Sequence, residues 1–243
     1  LRTDLDAMNE IPVDLPPQGT RTIFSPQGSN AALEWYAKLA KDTEGALFMT
    51  FAFGMNALFQ DAYAGGKAKL RYALMDKLVG SGGNAATRAK TEAAMVKLRK
   101  QVENRFAVGA RIENTAFSRW VKEKLTGLDT HVLYVHDKFL LSDPLGPDPV
   151  IVTGSANFSD ASTVDNDENM LLIRGDERVA DIYVGEYMRL WNHYAYREWL
   201  EKGSPESSPE FRHLDVTDTW WTDYFGDTDR SRQREYFVGK AGG

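Results

Sequence analysis

Hydrophobic and polar positions alternate along this chain in two rhythms. Thr22–Ser25 is a short strand candidate that stops at Pro26. Ser29 or Asn30 can cap the helix that follows. On that helix Leu33, Tyr36, Ala37 and Ala40 fall at i, i+3, i+4 and i+7. Leu47–Phe53 is a continuous apolar run, the pattern of a strand buried on both faces. A short helix over Leu58–Ala64 is closed by Gly65 and Gly66, and Leu70, Tyr72 and Leu74 then alternate as in a strand. Past the Gly80–Gly83 loop, Met95, Leu98 and Val102 mark one helix face, Phe106–Ile112 a strand, and Phe117, Trp120 and Val121 another helix. Val132–Leu141 and Val150–Thr153 are strands joined by the Pro- and Gly-rich turn Ser142–Pro149. Met170–Ile173 is the last strand. A long helix from about Glu177 to Leu200 carries Tyr183, Tyr187, Leu190, Trp191 and Tyr194 on one face, a stripe that reads as core.

Strands interleaved with helices predict an α/β fold, a mixed β-sheet layered between helices. Three segments follow: a connector over residues 1–20, an α/β lobe over 21–202 and a polar tail over 203–243. The connector is rich in proline between Ile11 and Gly19, where neither helix nor central strand is favoured. The tail holds Trp220, Trp221, Tyr224 and Phe225; Trp220 and Trp221 are expected to cover an apolar groove on this lobe or on a second one.

Composition narrows the chemistry. The 243 residues contain no cysteine, which removes disulfides and thiolate catalysis. No run approaches a membrane span. A formal net charge of −6 counts against non-specific nucleic-acid binding but leaves room for a local basic groove.

Two segments concentrate unusual polar residues. The first is His136-Asp137-Lys138-Phe139-Leu140-Leu141-Ser142-Asp143; the second is Gly154-Ser155-Ala156-Asn157. On strands, His136 and Lys138 share one face, as do Ser155 and Asn157. Pairing across the Ser142–Pro149 turn brings the four side chains together. An ammonium, a hydroxyl and an amide suit phosphoryl oxygens, and an imidazole is the one nucleophile here that works near neutral pH without a metal.

H-x-K-x-x-x-x-D followed by G-S-x-N resembles the phospholipase D, or HKD, superfamily. The matching residues are His136, Lys138, Asp143, Gly154, Ser155 and Asn157, with the acidic Glu168 eleven positions beyond Asn157. The resemblance implies a metal-independent phosphodiesterase that uses no cofactor and passes through a phosphohistidine. It makes His136 the nucleophile or general acid, and Lys138 and Asn157 phosphate ligands supported by Ser155. Glu168 would orient a site histidine, and Asp143 would pair with a neighbour rather than touch substrate. It also implies two histidines, whereas His131, His193 and His213 lack a lysine two residues on. The second HKD lobe is therefore expected either from a segment upstream of Leu1 or from a symmetric homodimer. The non-Met start and the linker character of residues 1–20 favour the former, making this the C-terminal half of a two-lobed member.

A phospholipid is the first substrate expectation and nucleic acid the second; a non-catalytic phosphate-binding or assembly lobe is the alternative of a different class. Other features read blandly. His131 and His193 are structural, the acidic residues from Asp160 to Glu168 lack calcium-loop spacing, and the serine-hydrolase elbow G-x-S-x-G is absent.

Overall fold

The computed structural model describes residues 2–80, 82–109, 133–202 and 217–239. In chain order its elements are α1 (Arg2–Met8), β1 (Gly19–Phe24), α2 (Ala31–Asp42), β2 (Ala46–Phe51), α3 (Ala57–Gly65), β3 (Leu70–Met75), α4 (Ala85–Arg99), β4 (Asn104–Val108), β5 (Phe139–Ser142), β6 (Val150–Gly154), α5 (Asp160–Val164), β7 (Asn169–Arg174), α6 (Glu177–Lys202) and α7 (Asp229–Phe237). The expected helix through Phe117, Trp120 and Val121 lies outside the described residues, as do His131 and His213.

The strands form one sheet in the order β1-β7-β6-β5-β2-β3-β4. The pairs β2–β3 and β3–β4 are parallel; β2–β5, β5–β6, β6–β7 and β1–β7 are antiparallel. Every residue of β2 and of β3 is buried. For β2 this matches its apolar run. For β3 the expected alternation gives way to burial on both faces, because helices cover both sides of the sheet.

Side-chain alternation along β2 divides the core. Leu47, Met49 and Phe51 pack with Trp35, Tyr36 and Phe59 under α2 and α3. Ala46 and Phe48 face the other way, with Tyr72, Tyr187 and Trp191 under α6. Phe48 and Tyr72, paired across β2 and β3, stack at 5.1 Å. The Tyr187 hydroxyl, buried with its ring, donates to the Met49 carbonyl at 3.0 Å. That removes the cost of an unpaired buried polar group, about 1–3 kcal/mol.

Described segments at both extremes pack on the lobe. The Asn9 side chain bonds both the N–H and the C=O of Phe24 at 2.8 Å, closing part of the free edge of β1. The strand itself begins at Gly19, inside the stretch read as connector, and α1 precedes it. In α7, Tyr236 is buried in the α6-side core, 6.0 Å from the Phe48 ring. Trp220 and Trp221 are 59% and 49% exposed, so they cover no groove on this lobe. Among the described residues, no helix is long and apolar enough to cross a membrane.

These pairings put the carboxyl ends of β2, β3 and β4 at one edge of the sheet. The start of β5, the end of β6 and the start of β7 reach the same edge. Ligand sites in α/β sheets favour such an edge.

Candidate active site

The regular part of β5 begins only at Phe139, so His136 and Lys138 precede the strand on which sequence reasoning set them. Two buried side chains account for the early departure. The Thr50 hydroxyl accepts the Phe139 N–H at 2.8 Å and donates to the Asp137 carbonyl at 2.5 Å, standing where a backbone rung would be. Just upstream, one carboxylate oxygen of Asp76 accepts the N–H groups of Leu133, Tyr134 and Val135 at 3.1, 2.5 and 2.9 Å. Asp76 is 2% exposed and follows directly on β3.

The G-S-x-N segment likewise leaves its strand, at Gly154. A Cβ on Gly154 would stand 2.2 Å from the Asn169 carbonyl oxygen and 2.8 Å from Met170 Cα, so only glycine lets β6 and β7 approach this closely. The Ser155 N–H donates to the Asn169 carbonyl at 2.9 Å, and the Ser155 hydroxyl accepts the Asn169 N–H at 3.0 Å. Ser155 thus ties the loop to β7, a contact not foreseen from the motif. Asn157 donates to Ser162 Oγ at 3.4 Å, and its Oδ1 is buried without a partner among the described residues. Turning the amide over lets the Ser162 hydroxyl donate to Oδ1 and frees the NH2, the group an anionic oxygen requires. The loop is anchored further on. Asp160 accepts from the amides of Asn30 (2.6 Å) and Asn56 (2.9 Å), the residues that open α2 and α3. Asn30 occupies the N-cap position of α2 but spends its amide on Asp160 rather than on a capping bond.

His136, Lys138, Ser155, Asn157 and Glu168 line one cleft of about 460 Å3, with Asp137, Phe139, Thr153 and Gly154 completing the wall. His136 is exposed, its ring edge-on to Phe53 at 6.4 Å. Lys138 is 7% exposed and donates to the His136 carbonyl. Burial pushes the Lys138 ammonium below the ordinary lysine range, while the Glu168 and Asp137 carboxylates pull it back up. Through that charge interaction Glu168 acts on Lys138, a link the motif did not reveal. Asp143 stands apart. It accepts from the N–H groups of Glu44, Gly45 and Ala46 at 3.1, 2.7 and 2.7 Å, at the opposite sheet edge.

The family model described as cardiolipin synthase, PLD-like domain, matches residues 87–191, a range that contains both motif segments and Glu168. Over those residues the chain is similar to a phospholipase D-like domain. Similar solved structures include Nuc, a phospholipase D family member from Salmonella typhimurium, at 16% identity and a TM-score of 0.47, covering 72% of this chain and 94% of that one. NucT from Helicobacter pylori is 11% identical with a TM-score of 0.47, covering 71% of this chain and 94% of that one. TrmBL2, an archaeal chromatin protein, is 12% identical with a TM-score of 0.43, covering 79% of this chain and 58% of that one. No curated protein sequence matches the chain. The cleft residues all lie within the stretch that matches this PLD-like domain, and the two motif segments meet at the carboxyl edge of β2 to β4.

Proposed function

We propose that this phospholipase D-like lobe supplies one half of a metal-independent phosphodiesterase site. The observation that carries the reading is the shared cleft, where an accessible imidazole, a desolvated ammonium and an under-bonded amide stand together. His136 attacks phosphorus; a P–N bond forms as the P–O bond to the leaving group breaks, and a second imidazole protonates the departing oxygen. The same second imidazole then takes a proton from water, whose oxygen displaces His136 from phosphorus. Lys138 and the amide of Asn157 hold the phosphoryl oxygens, and Ser155 holds the loop that carries Asn157. Glu168 fixes the charge balance around Lys138.

Charge supports the half-site reading. The cleft sets one lysine against two carboxylates, Glu168 and Asp137. A phosphodiester anion needs more positive charge than that, and a second H-x-K lobe would bring it, either as an identical chain across a two-fold axis or from a second lobe of the same polypeptide. The name of the matching family model puts phospholipids first among the diesters to test, ahead of nucleic acid.

The test is turnover of bis(4-nitrophenyl) phosphate by the full chain in excess chelator, with solution mass measured in parallel. Acid-labile phosphorylation of His136, absent from His136→Ala, is the expected result. A His136→Ala chain that turns over at the wild-type rate overturns the reading. So does a dimeric wild-type chain that neither turns over nor shifts its His136 imidazole resonance on titration with inorganic phosphate.

A further inference from the structure

We infer that Thr50 and Asp76 are positioning residues of this site, which act on His136 and Lys138 through the main chain. The inference rests on the half-site reading above. An extended segment beside a sheet normally continues the ladder, and a ladder would fix residues 136–138 flat against β2. Here β5 pairs with β2 only through Leu140, Leu141 and Ser142. Beyond them the Thr50 side chain takes the place of the β2 backbone, accepting from Phe139 and donating to Asp137. Lys138 lies between those two anchor points. Its peptide neighbours are therefore fixed on both sides by one hydroxyl that is itself 1% exposed.

Asp76 performs the matching task before His136. Three successive N–H groups converge on its carboxylate, so residues 133–135 turn around an anion instead of pairing with β3 or β2. The backbone enters His136 from one buried anchor and leaves Lys138 into another. Both anchors extend from the carboxyl ends of neighbouring parallel strands, β2 and β3. His136 can then stand exposed while Lys138, two residues on, is buried. A displacement of about 1 Å at a catalytic group can cost about 10²-fold in rate, which is the advantage of holding such a segment at both ends.

The test uses the full chain and inorganic phosphate, followed at the His136 imidazole by NMR, with thermal midpoints measured for every variant. Thr50→Val keeps the shape of the side chain and removes both hydrogen bonds; Thr50→Ser keeps the hydroxyl. Thr43→Val is the matched control. It strips an equally buried threonine of its bonds to Leu39 and Ser142 at the opposite sheet edge. The expected result is phosphate affinity weakened about tenfold or more in Thr50→Val, restored to within about twofold in Thr50→Ser and unchanged in Thr43→Val. Asp76→Asn, which keeps one acceptor oxygen, is expected to weaken affinity less than Thr50→Val. Wild-type affinity in Thr50→Val, with binding lost in Lys138→Ala, overturns this inference and leaves the half-site reading standing. Equal weakening in Thr43→Val and Thr50→Val overturns it too, since the effect would then be one of stability. Wild-type affinity in Lys138→Ala overturns the half-site reading and this inference together.

Discussion

At one edge of the sheet His136, Lys138, Ser155 and Asn157 stand on backbone that has left the ladder; at the other, Ser142 and Asp143 end a strand paired on both sides and close its turn. The single motif H-x-K-x-x-x-x-D runs from one edge to the other, since the five residue steps of extended chain from Lys138 to Asp143 span about 17 Å. Its two ends do opposite jobs. The first leaves polar groups incompletely satisfied: a buried ammonium whose protonation burial disfavours, and an amide oxygen across the cleft with no partner among the described residues. The second satisfies polar groups, with Asp143 collecting three N–H groups at the start of β2. Substitutions at the site edge should therefore change chemistry more than stability, and substitutions at the far edge the reverse.

The sharpest way to break that contrast is His136→Ala. The side chain is exposed, so the folded protein should lose little stability, while turnover of an activated diester falls by about 10⁴-fold or more with the covalent route gone. Lys138→Ala should lower turnover by about 10²–10³-fold, the usual cost of losing one donor to developing charge. A smaller effect in both would show that the edge with unsatisfied groups is not where the chemistry occurs. At the far edge, Asp143→Ala leaves three N–H groups without their acceptor. A loss of about 2–4 kcal/mol in chemical denaturation is expected, with phosphate still shifting the His136 resonance in the folded protein. If Asp143→Ala is as stable as wild type, the far edge is not the structural one.

How far the sequence revealed this contrast depends on the range over which each signal acts. The β5–β6 hairpin and the convergence of His136, Lys138, Ser155 and Asn157 were legible, because motif spacing and turn composition are local. The stripe on α6 was legible as well, with Tyr187 and Trp191 buried as its period requires. The place where each strand stops was not. Val132–Leu141 reads as one strand, yet regular pairing begins at Phe139, because Thr50 and Asp76 lie 87–89 and 57–59 residues away from the groups they hold. No local rule links a threonine late in one strand to the main chain of another. The tie from Ser155 to β7 was hidden for a similar reason. Its partner is the backbone of Asn169, fourteen residues on, and a backbone partner leaves no residue type to recognise. Trp220 and Trp221 are largely exposed on this lobe, so of the two grooves expected for them only one on a second lobe remains.

The smallest effect concerns Lys138 and pH, and its sign tests the contrast most closely. Burial holds the folded-state pKa of Lys138 below the ordinary value of 10.5, against the pull of Glu168 and Asp137. Between the folded and unfolded values the unfolded chain binds more protons, so this residue makes stability rise with pH across that window. Below the folded value the buried ammonium opposes folding in full. Replacing it with an apolar side chain of similar length removes the opposition: Lys138→Met should raise the thermal midpoint near neutral pH, by about 2–4 °C for each kcal/mol recovered. The gain should shrink as pH climbs toward 10.5, because folded Lys138 loses its proton below the pH at which the unfolded residue does. In wild type, phosphate affinity should decline over the same alkaline range, because the neutral amine no longer supplies charge. A Lys138→Met protein that melts lower than wild type at every pH would show that the ammonium is a net structural asset, and the two edges of the sheet would then not divide the work as described.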